Sequence, residues 1–135
     1  MVEEPVGRHW VLFEPPDLCV IRPVGDLSVE EVSEIMSRVG AFAAGKQRVL
    51  LMFNVERSGD MAPAARKIAM DATSRLPVAG IALFGASFAI RVAATLMAKA
   101  ARILYPSSAP VPRFFASEAE ARAWLNGRRA AAAER

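Results

Sequence analysis

Short runs in which every residue is apolar alternate along this chain with longer segments in which apolar residues recur every three or four positions. The first kind reads as buried strand, the second as amphipathic helix. The clearest run is Val49-Leu50-Leu51-Met52-Phe53, entered by Lys46 and Arg48 and left through Asn54, Glu56, Ser58 and Asp60. A run without polar positions suits a strand covered on both faces, as in a parallel sheet. The polar residues beyond it then lie outside the carboxyl end of a strand, where α/β proteins usually place their working groups.

Upstream, Trp10–Phe13 and Leu18–Ile21 flank Glu14-Pro15-Pro16-Asp17, which predicts a hairpin. Ser28-Val29-Glu30-Glu31 forms a capping box, and Val29, Val32, Ile35, Met36, Val39 and Phe42 follow at helical spacing up to Gly45. Downstream, Asp60 is the expected N-cap of a second helix with Pro63 in its first turn and Ala65, Ile68, Ala69 and Ala72 on one face. Val78–Phe84 is the next buried strand. Ser87 caps a third helix over Phe88–Tyr105. Val92, Leu96, Met97, Ala100, Ile103 and Leu104 share one broad face, opposite Arg91, Thr95, Lys99 and Arg102. The simplest role for that apolar face is to cover the sheet. Arg113-Phe114-Phe115 makes a short last strand, and a second capping box, Ser117-Glu118-Ala119-Glu120, opens a final helix ended by Asn126-Gly127.

The order is β-β-α-β-α-β-α-β-α. It predicts an α/β domain with a single mixed, mostly parallel sheet of about five strands and flanking helices. Residues 1–8 read as an N-terminal extension, 9–127 as the domain and 128–135 as a frayed tail.

Composition narrows the function classes. At 135 residues, with 53% of them apolar, the chain can bury a core as one domain. A single cysteine, Cys19, excludes an intramolecular disulfide and a cysteine-based zinc site. The start, MVEEPVGR, lacks the apolar core of a signal peptide, and the longest uncharged stretch, Leu76–Ile90, is too short for a bilayer. The expected location is cytoplasmic, with peripheral attachment to the inner membrane as the alternative. The net charge of +3 conceals a split: residues 1–34 carry −6 and residues 35–113 carry +8, with no acid between Ala72 and Ser117. Such a split marks either an anion-attracting surface or arginines spread over solvated faces.

The element order and three local features resemble the STAS-like fold, and more narrowly the SpoIIAA-like family of small bacterial proteins. The features are Gly25-Asp26-Leu27-Ser28 after the hairpin, Arg57-Ser58-Gly59-Asp60 after the central strand, and Arg113-Phe114-Phe115 followed by Ala121, Trp124 and Leu125. The family is also similar to CRAL-TRIO lipid-binding domains. The resemblance covers about Trp10 to Leu125. It implies a regulatory or interaction role, with lipid binding among its relatives. Anti-sigma-factor antagonists of the STAS group carry an acidic-Ser-Ser-Gly sequence at the start of the second helix, whose serine is phosphorylated. Ser58-Gly59 matches that place and makes Ser58 a candidate phosphosite. Arg57 stands where the pattern has a serine, and Asp60 where it has an apolar residue.

Catalytic patterns are not evident. There is no phosphate-binding glycine loop, and the lone His9 sits at a strand start, away from any serine-based triad. No cofactor, metal site or nucleic-acid surface is expected; the basic helix face has no aromatic beyond Phe88. Two readings remain for a non-enzymatic protein. One is an interaction module that meets a protein partner through Asn54, Glu56, Arg57, Ser58, Gly59 and Asp60; a homodimer is a further candidate. The other is association with a lipid, an amphiphile or an anionic membrane. Met61, Ala65, Ile68, Leu96 and Met97 would open an apolar slot, and Arg91, Lys99 and Arg102 would face headgroups.

Overall fold

The computed structural model describes residues 2–133. The chain runs through β1 (Val2–Val6), β2 (His9–Glu14), β3 (Leu18–Arg22), β4 (Gly25–Leu27), α1 (Val29–Ala43) and β5 (Val49–Asn54). It continues through β6 (Ser58–Met61), α2 (Pro63–Ser74), β7 (Val78–Phe84), α3 (Phe88–Leu104), β8 (Arg113–Phe115) and α4 (Glu118–Ala133). The main sheet has six strands in the order β1-β2-β3-β5-β7-β8. The first two pairings are antiparallel and the other three parallel. The expected mixed, mostly parallel α/β sheet is therefore present, with one more strand than the apolar runs indicated.

That strand is β1. Residues expected as an extension pair antiparallel with β2, from Val2 opposite Phe13 to Val6 opposite His9. Val2-Glu3-Glu4-Pro5 reads as polar because an edge strand buries little: only Val6 of the five residues is buried.

β5 lies at the centre of the parallel part, between β3 and β7. Leu51 and Phe53 face a core shared with α1 and α2, while Leu50 and Met52 face a second core under α4. Coverage on both sides explains the unbroken apolar run. β3, β5, β7 and β8 succeed one another in a single direction across the sheet. Right-handed crossovers therefore put α1, α2 and α3 on one face, and α4 returns along the other.

The helix ends follow the sequence closely at three places. Ser28 Oγ accepts from the Glu31 amide at 3.1 Å while Glu31 accepts from the Ser28 amide at 3.0 Å, closing the capping box. Ser87 Oγ accepts from the Ile90 amide at the start of α3, and Ser117 Oγ from the Glu120 amide at the start of α4.

Three expectations are corrected. Asp60 does not cap α2; it lies inside β6, and α2 starts at Pro63 behind Ala62, whose side chain has nothing to cap with. Asn126-Gly127 does not end α4, which continues to Ala133. Arg128 Nε donates to the Ala79 carbonyl at 3.2 Å and Arg129 pairs with Asp17, so tertiary contacts hold the first two residues of the part expected to fray, and the helix runs on to Ala133; residues 134–135 lie outside the described ones. The large apolar face of α3 does not cover the sheet: Val92, Leu96, Ile103 and Leu104 are exposed, and no residue of α3 is fully buried. β8, the strand below its far side, is only three residues long and offers little surface to cover.

Candidate functional site

The segment leaving β5 is a folded turn and strand, not an open loop. Asn54 Oδ1 accepts from the Glu56 amide, and the Ser58 amide donates to the Val55 carbonyl. β6 then pairs parallel with β4, Gly25 opposite Ser58 and Leu27 opposite Met61. The Gly25 amide donates to the Arg57 carbonyl at 2.8 Å, and the Asp60 amide to Asp26 Oδ1 at 2.8 Å. Gly59 permits this approach: a Cβ there would meet the Asp26 nitrogen and the Gly25 carbonyl carbon at 2.7 Å. Gly85, with φ +76°, closes β7 in a left-handed turn directly beneath the Glu56 side chain. Of the expected contact residues, Glu56, Arg57 and Asp60 are exposed, whereas Asn54, Ser58 and Gly59 are half-buried.

Ser58 opens β6, five residues before Pro63, the first residue of α2. Its hydroxyl donates to the Gly59 carbonyl at 3.4 Å, and the residue faces a cavity. That cavity, of about 250 Å³, lies between the sheet and the three helices on its face. Its floor is Ile21, Phe53, Ile81 and Leu83; Val32, Ile35, Ala69 and Met70 of α1 and α2 wall one side. α3 closes the other side with Ala89, Ile90, Ala93, Met97 and Ala101. The lining is almost wholly apolar, and its polar residues are Ser58, Asp60, Arg66 and Thr73. Folded interiors rarely leave voids much larger than a water molecule. Here the void follows from α3's inner face: alanine is too short to reach the sheet.

The structure thus joins parts of the two expected sites. Ser58, Gly59 and Asp60 border the same cavity as Met61 and Met97. The other expected slot residues lie elsewhere. Ala65 is fully buried in the core, Ile68 packs against that core, and Leu96 is exposed on the outer side of α3. The alanine stripe of α3 was the overlooked signal, because its large apolar residues dominate the helical pattern. Arg91, Lys99 and Arg102 are exposed, and the Arg91 guanidinium stacks 5.2 Å from the Phe114 ring centroid.

Two buried groups belong to the framework. His9 is fully buried; its Nδ1 accepts from the Val24 amide at 2.9 Å, and Nε2 lies 3.1 Å from Glu31 Oε1. The Ser28 amide, and then His9, hold the Glu31 carboxyl below its usual range. Burial pushes the Cys19 thiol up to about 12, which makes it a poor nucleophile. Among the described residues no three His, Cys, Asp or Glu side chains gather as a metal-binding group, and no helix is long and apolar enough to cross a membrane.

A family model described as SpoIIAA-like matches residues 18–126. No curated protein matches the chain. Among solved structures, the chain is similar to an uncharacterized protein of the DUF3478 family with a SpoIIAA-like fold from Shewanella loihica PV-4. That match has a TM-score of 0.62 and 14% identity, and covers 85% of this chain and 90% of the other. It is also similar to the anti-sigma factor antagonist SpoIIAA in its unphosphorylated form, with a TM-score of 0.53 and 20% identity, over 87% of this chain and 96% of that one. At these identities the structural likeness concerns the fold.

Proposed function

The chain belongs to the SpoIIAA-like family, and we propose that it is a non-enzymatic binding module whose ligand is a small amphiphile held between the sheet and α3. The cavity carries this reading. Its volume of about 250 Å³ is close to the lower end of small-molecule pockets, roughly 300–1,000 Å³. The apolar body of the ligand fits among Phe53, Ile81, Leu83 and Met97. Its polar head belongs at the rim, where Arg66 is half-buried and has no carboxylate partner among the described residues. Arg66 supplies the contact for an anionic head, with the Asp60 carboxylate of the same lining left exposed to water.

Anilinonaphthalenesulfonate, an apolar fluorophore with one anionic group, tests the reading. Saturable fluorescence enhancement is expected, displaced by fatty acids and lost in Ala93→Phe, which fills the cavity from α3. Binding that survives Ala93→Phe in a folded variant places the probe elsewhere and overturns the proposal.

A second reading rests on the exposed charges Glu56, Arg57 and Asp60, which the β4–β6 pair presents on a fixed frame. Such a frame suits a protein partner, as in the family's regulatory members. Charge reversal at Glu56 and Asp60 should then release any partner that wild type retains. A partner retained equally by the reversed protein removes this segment from the contact.

A further inference from the structure

The outer side of α3 is an unpartnered apolar stripe set in positive charge. Phe88, Val92, Leu96 and Ile103 recur at spacings of four, four and seven, so they line one side of the helix. They are 83%, 42%, 60% and 80% exposed. Monomeric domains seldom leave four large apolar side chains in register facing water. Lys99, expected on the opposite face, lies instead within the stripe, because eleven residues at helical pitch return it beside Phe88, and Arg91 and Arg102 run along one flank. The whole stretch between Ala72 and Ser117 contains no acid to neutralise them.

We propose that this face docks on an anionic lipid surface, with Phe88, Leu96 and Ile103 entering the headgroup–acyl boundary and Lys99 and Arg102 meeting the headgroups. Charge decides between the occupants that an apolar stripe admits. A second copy packed through the same face would bring Lys99, Arg91 and Arg102 of each copy against those of the other, with no acid on either helix. An anionic bilayer supplies the missing countercharge and an apolar layer for the stripe. Basic and apolar residues combined on one helix suit interfacial binding. The docking surface is the outward side of α3 and the cavity its inward side, so this inference stands independently of the amphiphile reading.

Co-sedimentation with vesicles of phosphatidylcholine, with and without phosphatidylserine, tests it. Wild type should sediment with phosphatidylserine vesicles at low salt and leave them as salt rises. Each basic residue near such a surface contributes about fivefold to partitioning, the equivalent of ~1 kcal/mol. Lys99→Glu/Arg102→Glu should therefore reduce binding at least tenfold, and so should Leu96→Ser/Ile103→Ser. Both pairs alter exposed side chains, and unchanged far-ultraviolet circular dichroism and melting establish that the variants fold. Saturable binding of anilinonaphthalenesulfonate without vesicles, retained in both pairs, separates a failure of docking from a failure of the cavity. The proposal is overturned by no sedimentation with phosphatidylserine vesicles, or by binding that neither pair reduces. A vesicle-free wild-type dimer that Leu96→Ser/Ile103→Ser converts to monomer also overturns it, because the stripe would then belong to a second copy.

Discussion

Arg129 grips Asp17 with two hydrogen bonds, Nε to Oδ2 at 2.8 Å and Nη2 to Oδ1 at 2.7 Å. Asp17 is buried at the turn between β2 and β3, and Arg129 stands two residues beyond the glycine where a helix end was expected. Two turns earlier Arg122 grips Glu14 in the same manner. The two pairs fasten α4 to the hairpin.

Arg129→Ala would leave the Asp17 carboxylate buried without its partner. A loss of ~1–3 kcal/mol is expected in urea denaturation. Asp17→Asn/Arg129→Ala should recover part of it, since the unpaired charge is gone. An unchanged midpoint in Arg129→Ala would mean that the helix end contributes nothing to stability.

Gly59→Ala should separate β6 from β4. The added methyl would stand 2.7 Å from the Asp26 backbone nitrogen, and backbone cannot yield as a side-chain tip does. Overpacking of this kind costs ~1–3 kcal/mol. Amide exchange checks the location: the Gly25 and Asp60 amides, both hydrogen-bonded across the pair, should lose protection first.

Negative charge at Ser58 should couple to the cavity. Ser58→Glu places a carboxylate beside an apolar wall, so probe affinity is expected to fall about tenfold and stability by ~1–3 kcal/mol. A phosphoryl group there would act in the same direction. Mass spectrometry after incubation with a cognate kinase determines whether Ser58 accepts one.

The Glu31 carboxyl is held low by the Ser28 amide and then by His9. A depressed carboxyl adds stability above its unfolded value, and that stability is lost as pH falls through the folded one. Glu31→Gln keeps a hydrogen-bonding cap but removes the charge near the helix start. It should lower stability at neutral pH by a few tenths to ~1 kcal/mol. The gap from wild type should close as the solution is acidified below the carboxyl's ordinary value of 4.5. A gap that persists in acid would assign the effect to packing instead.

Much of the architecture was legible residue by residue. The runs Val49–Phe53 and Val78–Phe84 announce strands covered on both sides, and Ser28 with Glu31 marks a helix start, because each signal needs only near neighbours. The lining of the cavity was half legible. Met61 and Met97 were expected at an apolar slot and line one, whereas Ala65 and Leu96 share their chemistry and lie in the core and in solvent respectively. Helical periodicity specifies which residues share a face but not what that face meets.

Local order therefore settled the α/β class, the parallel centre of the sheet and most helix starts, since apolar periodicity and capping act within a few residues. Tertiary structure decided three matters that depend on distant partners. β6 has no apolar pattern and becomes a strand because β4 supplies its hydrogen bonds. α4 passes Gly127 because Asp17 and Ala79, far away in the chain, hold its arginines. The short β8 leaves α3 with little sheet to cover, so its alanines turn inward around a cavity with Ile90 and Met97, while Phe88, Val92, Leu96, Ile103 and Leu104 are left exposed.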